Sequence, residues 1–303
     1  MRVEFANWVE QFGRREPRLI FLTGDLGFGA LEQVRAALGP RFVNVGVSEQ
    51  NMISVAAALA HEGLRPLCYS IAPFTVFRPL EQIRLDVALH RHPVKIVGNG
   101  GGYGYGIMGA SHHAIEDLAV LSCMPGMACI VPLCGSDVTA ACEAAFTYPG
   151  PAYIRLGFGI WPDSIGGLPP FEPQRRLVTA SAPPKLTIVG LGPVLLPTLL
   201  PASMAETVDV FAIGQLPFQN VTPELIESIN ASGRLLVIEE HVARGGLGEH
   251  LAAALSRQNL RFELHHRCAQ GYPHSRYGSQ RWHLEQSQLD AEALRADIAT
   301  LKQ

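Results

Sequence analysis

No run of 18 uncharged apolar residues occurs in the chain, so no membrane-spanning helix is expected. The opening, MRVEFANWVEQFGRREP, mixes both charge signs and has no apolar stretch ahead of a small-residue cleavage site, which excludes the pattern of a secretory leader. There are six cysteines, Cys68, Cys123, Cys129, Cys134, Cys142 and Cys268, and no two form a CxxC pair. Most lie in apolar segments and read as small buried hydrophobes, the usage of a reduced, cytoplasmic protein. Charged residues make up only 17% of the chain, 24 basic against 27 acidic, for a net charge of -3. Nothing in that balance recommends nucleic acid or an anionic membrane as a partner. There is no GxxxxGK[ST] loop, no GxSxG elbow and no HExxH helix, so triphosphatase, serine-hydrolase and zinc-protease readings lose their usual support.

What the chain has is apolar material with a rhythm. Of 303 residues, 48% are hydrophobic, enough for two cores at about 150 residues per domain. Short β-branched runs alternate with longer segments of helical period. LIFL (19–22), FVNV (42–45), CYSI (68–71), VKIV (94–97), CIV (129–131) and AYIRL (152–156) read as strands. Between them, residues 78–90 put Leu80, Ile83, Val87 and Ala88 on one helical face. The pattern predicts an α/β fold of βαβ units, two domains each with a mostly parallel sheet covered by helices on both faces. Residues 161–184 hold six prolines and no clear period, and read as a linker or extended crossover. Strand-like LTIVG (186–190), VDVFAI (208–213) and RLLVIEEH (234–241) then restart the rhythm. The expected division is 1–160, a linker at 161–184, and a smaller domain at 185–303.

In such sheets ligands bind beyond the carboxyl ends of the strands, so the loops there carry the chemistry. Three stand out. GVSEQNM (46–52) follows a strand and opens a helix, with Ser48 a candidate N-cap and Glu49 in the first turn. On spacing alone, Glu49 reads first as a plain helix-start acid. VGNGGGYGYGIMGASHHAIED (97–117) has seven glycines within 98–109, which lets backbone approach a ligand closely at a cost in folding entropy. Its GxGxxG match follows the fourth strand with no acidic residue at the dinucleotide distance, so it carries little as a nucleotide fingerprint. His112 and His113 beside Glu116 and Asp117 fit no standard zinc spacing, so no metal ligand set is assigned. One histidine presented to a ligand and a structural histidine both remain open. In YSIAPFTVFRPLEQIR (69–84), Phe74 and Phe77 stand where a strand passes into a helix; both stacking on a flat ligand and core packing fit them. Arg155, at the end of a strand, faces either an anionic substrate or, equally, a surface ion-pair partner.

In order along the chain, FVNVGVSEQNMISVAAALAHEGLRP, FRPLEQIRLDVALHRHPVKIVG, the glycine loop closing in SHHAIEDLAVL, GMACIVP and PAYIRLG together resemble the pyrimidine-binding domain of the transketolase family. VIEEHVARGGLGEHLAAAL (237–255) resembles that family's C-terminal domain. The chain is also similar to 1-deoxyxylulose-5-phosphate synthase and, more distantly, to 2-oxo acid dehydrogenase β subunits. One departure matters. Full-length transketolases hold the diphosphate of thiamine diphosphate and its magnesium through GDG and a downstream Asn. Here no GDG occurs; residues 24–26 are Gly-Asp-Leu. The resemblance therefore implies half an enzyme, the β component of an α2β2 assembly. An N-terminal transketolase subunit would supply the diphosphate and Mg2+ site.

Residue by residue, the resemblance implies that Glu49 contacts N1′ of the aminopyrimidine and promotes its imino tautomer, and that Phe74 stacks on that ring. Phe77 stays a second candidate because the loop spacing to Arg78 differs from ordinary transketolases. Ile107 is assigned to the cofactor by the same match. His112 takes the place of the histidine that hydrogen-bonds substrate oxygens and assists proton transfer. His113 stands where many relatives have Gln, and with Arg155 it completes the implied substrate set. The EEHVARGGLG segment is expected to serve assembly more than chemistry. The implied reaction is transfer of a two-carbon ketol unit from a ketose or ketose phosphate to an aldose. The alternatives are a 2-oxo acid dehydrogenase β subunit, a deoxyxylulose-phosphate synthase-like enzyme, and a regulatory paralogue without activity.

Overall fold

The computed structural model describes residues 1–26 and 29–303. Its strands, in chain order, are β1 (Leu19–Thr23), β2 (Phe42–Asn44), β3 (Arg65–Ile71), β4 (Lys95–Asn99), β5 (Ala128–Ile130), β6 (Ala152–Leu156), β7 (Gln174–Val178), β8 (Leu186–Leu191), β9 (Val208–Ile213), β10 (Gln215–Leu216), β11 (Arg234–Glu239) and β12 (Glu263–Cys268). They form a seven-stranded sheet in the order β10-β5-β6-β4-β3-β1-β2 and a five-stranded sheet in the order β12-β11-β8-β9-β7. Every neighbouring pair is parallel except β10 with β5 and β7 with β9. The fold is thus α/β, with two mostly parallel sheets flanked by helices.

Alternation along each strand of the large sheet builds a core on either side. Leu22, Cys68, Ile96, Cys129 and Tyr153 point to one face, against Met52, Ile53 and Ala56 of the helix Glu49–His61. Their neighbours Phe21, Leu67, Tyr69, Val97, Ile130 and Ile154 point to the other, against Phe5, Trp8, Val9 and Phe12 of the helix Arg2–Arg15. A strand covered on both faces is apolar at most positions, which is why these segments read as near-continuous hydrophobic runs. The first core continues into Val189, Phe211 and Val237 of the second sheet, so the two sheets share buried surface. Among the described residues, no helix is long and apolar enough to cross a membrane.

Two segments differ from expectation. Strand β7 lies inside the stretch read as a linker and closes the second sheet as its antiparallel edge. Its sequence, QRRLV, hides the strand because it carries two arginines; Arg175 is nonetheless buried, its guanidinium paired with Asp137. The helical face expected over 78–90 is a short α-turn, Leu80–Gln82, passing into a π-helical turn, Ile83–Ala88. Ile83, Val87 and Ala88 are still buried together.

Lys95 is an unusual core residue. Its side chain is buried, and Nζ donates to the carbonyls of Tyr148 (2.9 Å) and Gly150 (2.6 Å). Burial first, and the charge of Arg65 second, push its pKa down to about 7 from an ordinary 10.5. The fold therefore resists protonating a group that the unfolded chain protonates readily. Between pH 10.5 and about 7 the unfolded chain binds the extra proton, so this group costs stability progressively as pH falls through that window. Urea midpoints measured from pH 6 to 9 should show wild type gaining on Lys95→Met as pH rises above about 7, at up to about 1.4 kcal/mol per pH unit. Parallel profiles would show that Lys95 stays charged in the fold.

Candidate active site

The site assembles at the carboxyl end of the large sheet. After β2 the chain turns through Gly46, at φ +74°, into Ser48, the N-cap residue of the helix Glu49–His61. The Ser48 side chain makes no capping hydrogen bond. Glu49, in the first helical turn, is only 3% exposed. Its carboxylate accepts two hydrogen bonds from Nη1 of Arg78, to Oε1 at 3.1 Å and Oε2 at 3.0 Å, and a long one from Ser70 Oγ at 3.4 Å. Ser70 lies near the end of β3, and Gly24 follows β1. A Cβ on Gly24 would stand 3.4 Å from Glu49 Oε1, which places the end of β1 beside the carboxylate.

Strand β3 runs directly into the short helix Ala72–Val76, with Pro73 in its first turn. That junction presents Phe74. The Arg78 guanidinium carbon lies 3.7 Å from the Phe74 ring centroid, and the His112 ring meets the same phenyl ring edge-on at 5.0 Å. His112 is half-buried, with Nδ1 3.0 Å from Ser111 Oγ. Glu49, Arg78, Phe74 and His112 therefore form one continuous chain of contacts. Phe77 goes elsewhere: it is half-buried, packs on the first core and lines a groove on the far side of Arg78.

The glycine loop is held from the second half of the molecule. Tyr103 is fully buried, its N–H donating to Glu240 Oε1 at 2.8 Å, its hydroxyl to the Gly271 carbonyl at 2.7 Å. Its ring stacks on His283 at 4.5 Å. Glu240 also accepts from Gln280 Nε2 at 3.0 and 3.2 Å, and burial raises its pKa above the usual carboxylate value. Beside it, Gly102 sits at φ +65°, and a Cβ there would lie 2.5 Å from the Glu240 side chain. Glu240 belongs to the EEHVARGGLG segment expected to serve assembly. It anchors the loop that carries His112.

Besides Phe77, three of the expected site residues are placed away from this cluster. Arg155 is 5% exposed and fully engaged inside: Nε donates to Asp117 Oδ2 at 2.9 Å, and Nη2 to the carbonyls of Ala114 (2.6 Å) and Glu240 (2.9 Å). Turned inward, it ties β6 to the glycine loop and to the turn after β11. His113 is buried beneath the loop, with Nε2 2.7 Å from the Gly106 carbonyl and its ring against Tyr272 and His283. Burial lowers its pKa, keeping it neutral near pH 7. Ile107 is 78% exposed on the loop. Adjacent residues of an irregular loop face opposite ways, which separates His112 from His113. Arg78 and Glu240 were not expected at the site. A signal for Arg78 did exist: a lone cation closing the apolar run SIAPFTVF.

The arrangement offers a buried carboxylate and an aromatic face on either side of a slot that accepts a flat group with N–H donors, with a histidine at its edge. Among the described residues no group of three His, Cys, Asp or Glu side chains is gathered for a metal ion.

Known proteins point the same way. The family described as transketolase, pyrimidine binding domain, matches residues 1–157. The chain belongs to the transketolase family. It is 30% identical over 261 residues to a protein of Phocaeicola vulgatus named as one of the subunits of apulose-4-phosphate transketolase, covering 84% of this chain and 83% of that protein. It is 31% identical over 306 residues to 1-deoxy-D-xylulose-5-phosphate synthase of Myxococcus xanthus, spanning 98% of this chain but only 51% of that protein. A solved structure described as a split gene transketolase, inactive β4 tetramer, superposes with a TM-score of 0.81 at 28% identity, covering 99% of this chain and 98% of that one.

Proposed function

We propose that this chain is the β subunit of a two-chain, thiamine-diphosphate-dependent transketolase, which moves a two-carbon ketol unit from a ketose or its phosphate to an aldose. The observation that carries the reading is the buried Glu49 carboxylate facing the same slot as the Phe74 ring, with His112 at the rim. The Phocaeicola protein, named as a subunit and of nearly this chain's extent, supports a split enzyme. So does the half-length match to the synthase. In this reading residues 1–160 are the pyrimidine-binding domain, 185–303 the C-terminal domain, and 161–184 joins them while lending β7. The partner chain holds the diphosphate and Mg2+, and the working assembly is α2β2. The β4 tetramer of the structural relative, described as inactive, is in keeping with a β chain that needs its partner. A cytoplasmic location agrees with six cysteines that are all free.

When bound, thiamine diphosphate supplies an electron sink for cleavage next to a carbonyl. This chain's contribution is position and proton traffic. Phe74 gives the aminopyrimidine a flat wall. Glu49, shut away from water, shares a proton with the ring nitrogen it faces. His112 is exposed enough to reach substrate oxygens, and imidazole is the side chain best suited to trading protons with sugar hydroxyls at neutral pH.

The test combines this chain, the diphosphate-binding chain, thiamine diphosphate and Mg2+ with a ketose and an aldose, and follows products by mass. Exchange of two carbons between sugars is expected. Carbon dioxide from a 2-oxo acid, with no exchange, would move the assignment to a dehydrogenase β subunit. His112→Ala should cut kcat/KM for the ketose by about 10²-fold or more while cofactor affinity changes little. Equal losses in both would place His112 on the cofactor. Calorimetry on this chain alone should register weak thiamine diphosphate binding; tight Mg2+-dependent binding would sink the split site.

A further inference from the structure

A guanidinium is flat, positively charged and edged with N–H donors. In this chain that of Arg78 lies over Phe74, with its carbon 3.7 Å from the ring centroid, and donates from Nη1 to both oxygens of Glu49 at 3.1 and 3.0 Å. On the function proposed above, those same two surfaces, the aromatic face and the buried carboxylate, receive the aminopyrimidine. Arg78 and that ring cannot both fill the slot. We infer that Arg78 is a positioning residue that stands in for the aminopyrimidine while the site is empty and swings out when the ring enters.

The physical need for a stand-in is plain. A carboxylate as buried as Glu49 is costly without a partner. A place for the displaced side chain is also present. Arg78 is 43% exposed at the side chain and lines a groove of about 1010 Å3 together with Phe77, Glu81 and Gln82. In that groove Glu81 offers a carboxylate, and Gln82 Oε1 is buried with no hydrogen-bond partner. A guanidinium turned away from Glu49 has acceptors waiting one helical turn along. Cofactor affinity then carries the cost of moving Arg78, because only the opened fraction of the chain is competent to bind.

The experiment uses the full chain and the pyrimidine half of the cofactor, 4-amino-5-hydroxymethyl-2-methylpyrimidine, read by ligand-observed NMR, which reaches millimolar affinities. Arg78→Ala should bind this probe about tenfold more tightly than wild type, the gain expected if the slot is open about 10% of the time. Methylguanidinium should compete with the probe in Arg78→Ala and raise that variant's melting temperature, and should need about tenfold higher concentrations to do either in wild type. Arg78→Lys, which keeps the charge but not the flat face, should fall between the two. Equal or weaker probe binding by Arg78→Ala would overturn the inference and leave the functional reading standing. No saturable probe binding by any variant would overturn the functional reading, and this inference with it.

Discussion

Glu49→Gln should lower turnover of the proposed two-chain enzyme by about 10²–10⁴-fold, the range that removal of a positioned acid or base produces. The substitution keeps the shape of the side chain and the oxygen that accepts from Arg78. It removes the capacity to hold and release a proton at the ring nitrogen. Stability should change little, because Arg78 is 43% exposed at its side chain and can turn to water or to Glu81 when the carboxylate is lost. The measurement is kcat with both chains present, beside a thermal melt of this chain. If Glu49 were only an acid at a helix start, its loss would cost a few tenths to about 1 kcal/mol of stability and little activity. Near-normal kcat with a lowered melting temperature would return it to that role.

The α/β rhythm was readable because a strand buried on both faces is apolar at most positions, and its few polar residues, such as Thr187 and Asp209, are hydrogen-bonded inside. Strand β8, LTIVGL, is buried at every position, and so is β9, VDVFAI. Strand β7 was not readable, because its arginines are neutralised by a residue far away in sequence: Asp137 pairs with Arg175 across 38 positions. The helix Arg2–Arg15 could have been found from its buried Phe5, Trp8, Val9 and Phe12, which keep helical spacing.

The same distinction governs the site. Glu49, Phe74 and His112 each lie at a junction with a local signature: a helix start, a strand-to-helix turn, the end of a glycine loop. Their convergence follows from the strand order, since β2, β3 and β4, which carry the three loops, lie in one parallel run, β4-β3-β1-β2, and deliver their loops to one end. Arg78 and Glu240 owe their places to pairing across 29 and 137 residues, to Glu49 and to the Tyr103 N–H. No local pattern announces such a pairing. Arg155 and His113 mislead for a related reason. Residue types that are commonly exposed are buried here because tertiary partners, Asp117 and the Gly106 carbonyl, satisfy them.

Arg155→Met should destabilise the fold by about 3–5 kcal/mol, the cost of breaking a buried ion pair by removing one partner. Arg155 and Asp117 are 5% and 0% exposed, at 2.9 Å, so methionine would leave the Asp117 carboxylate deep in the protein with only the Tyr153 hydroxyl, 2.8 Å away, as donor. The Glu240 carbonyl would lose the Arg155 donor, and the Ala114 carbonyl would be left with the Gly102 N–H alone. These groups tie β6 to the base of the glycine loop and to the residue that anchors it. The loss should therefore appear as a lower urea midpoint and faster hydrogen exchange at the backbone N–H groups of Gly102 and Ala114, which pair across the loop base. Adding Asp117→Asn removes the stranded charge, so the double variant should recover a substantial part of the stability lost by Arg155→Met alone. A residue that served only to bind a substrate anion would behave in the opposite way. Arg155→Met would then keep its urea midpoint and raise KM for phosphorylated ketoses, and Asp117→Asn would restore nothing.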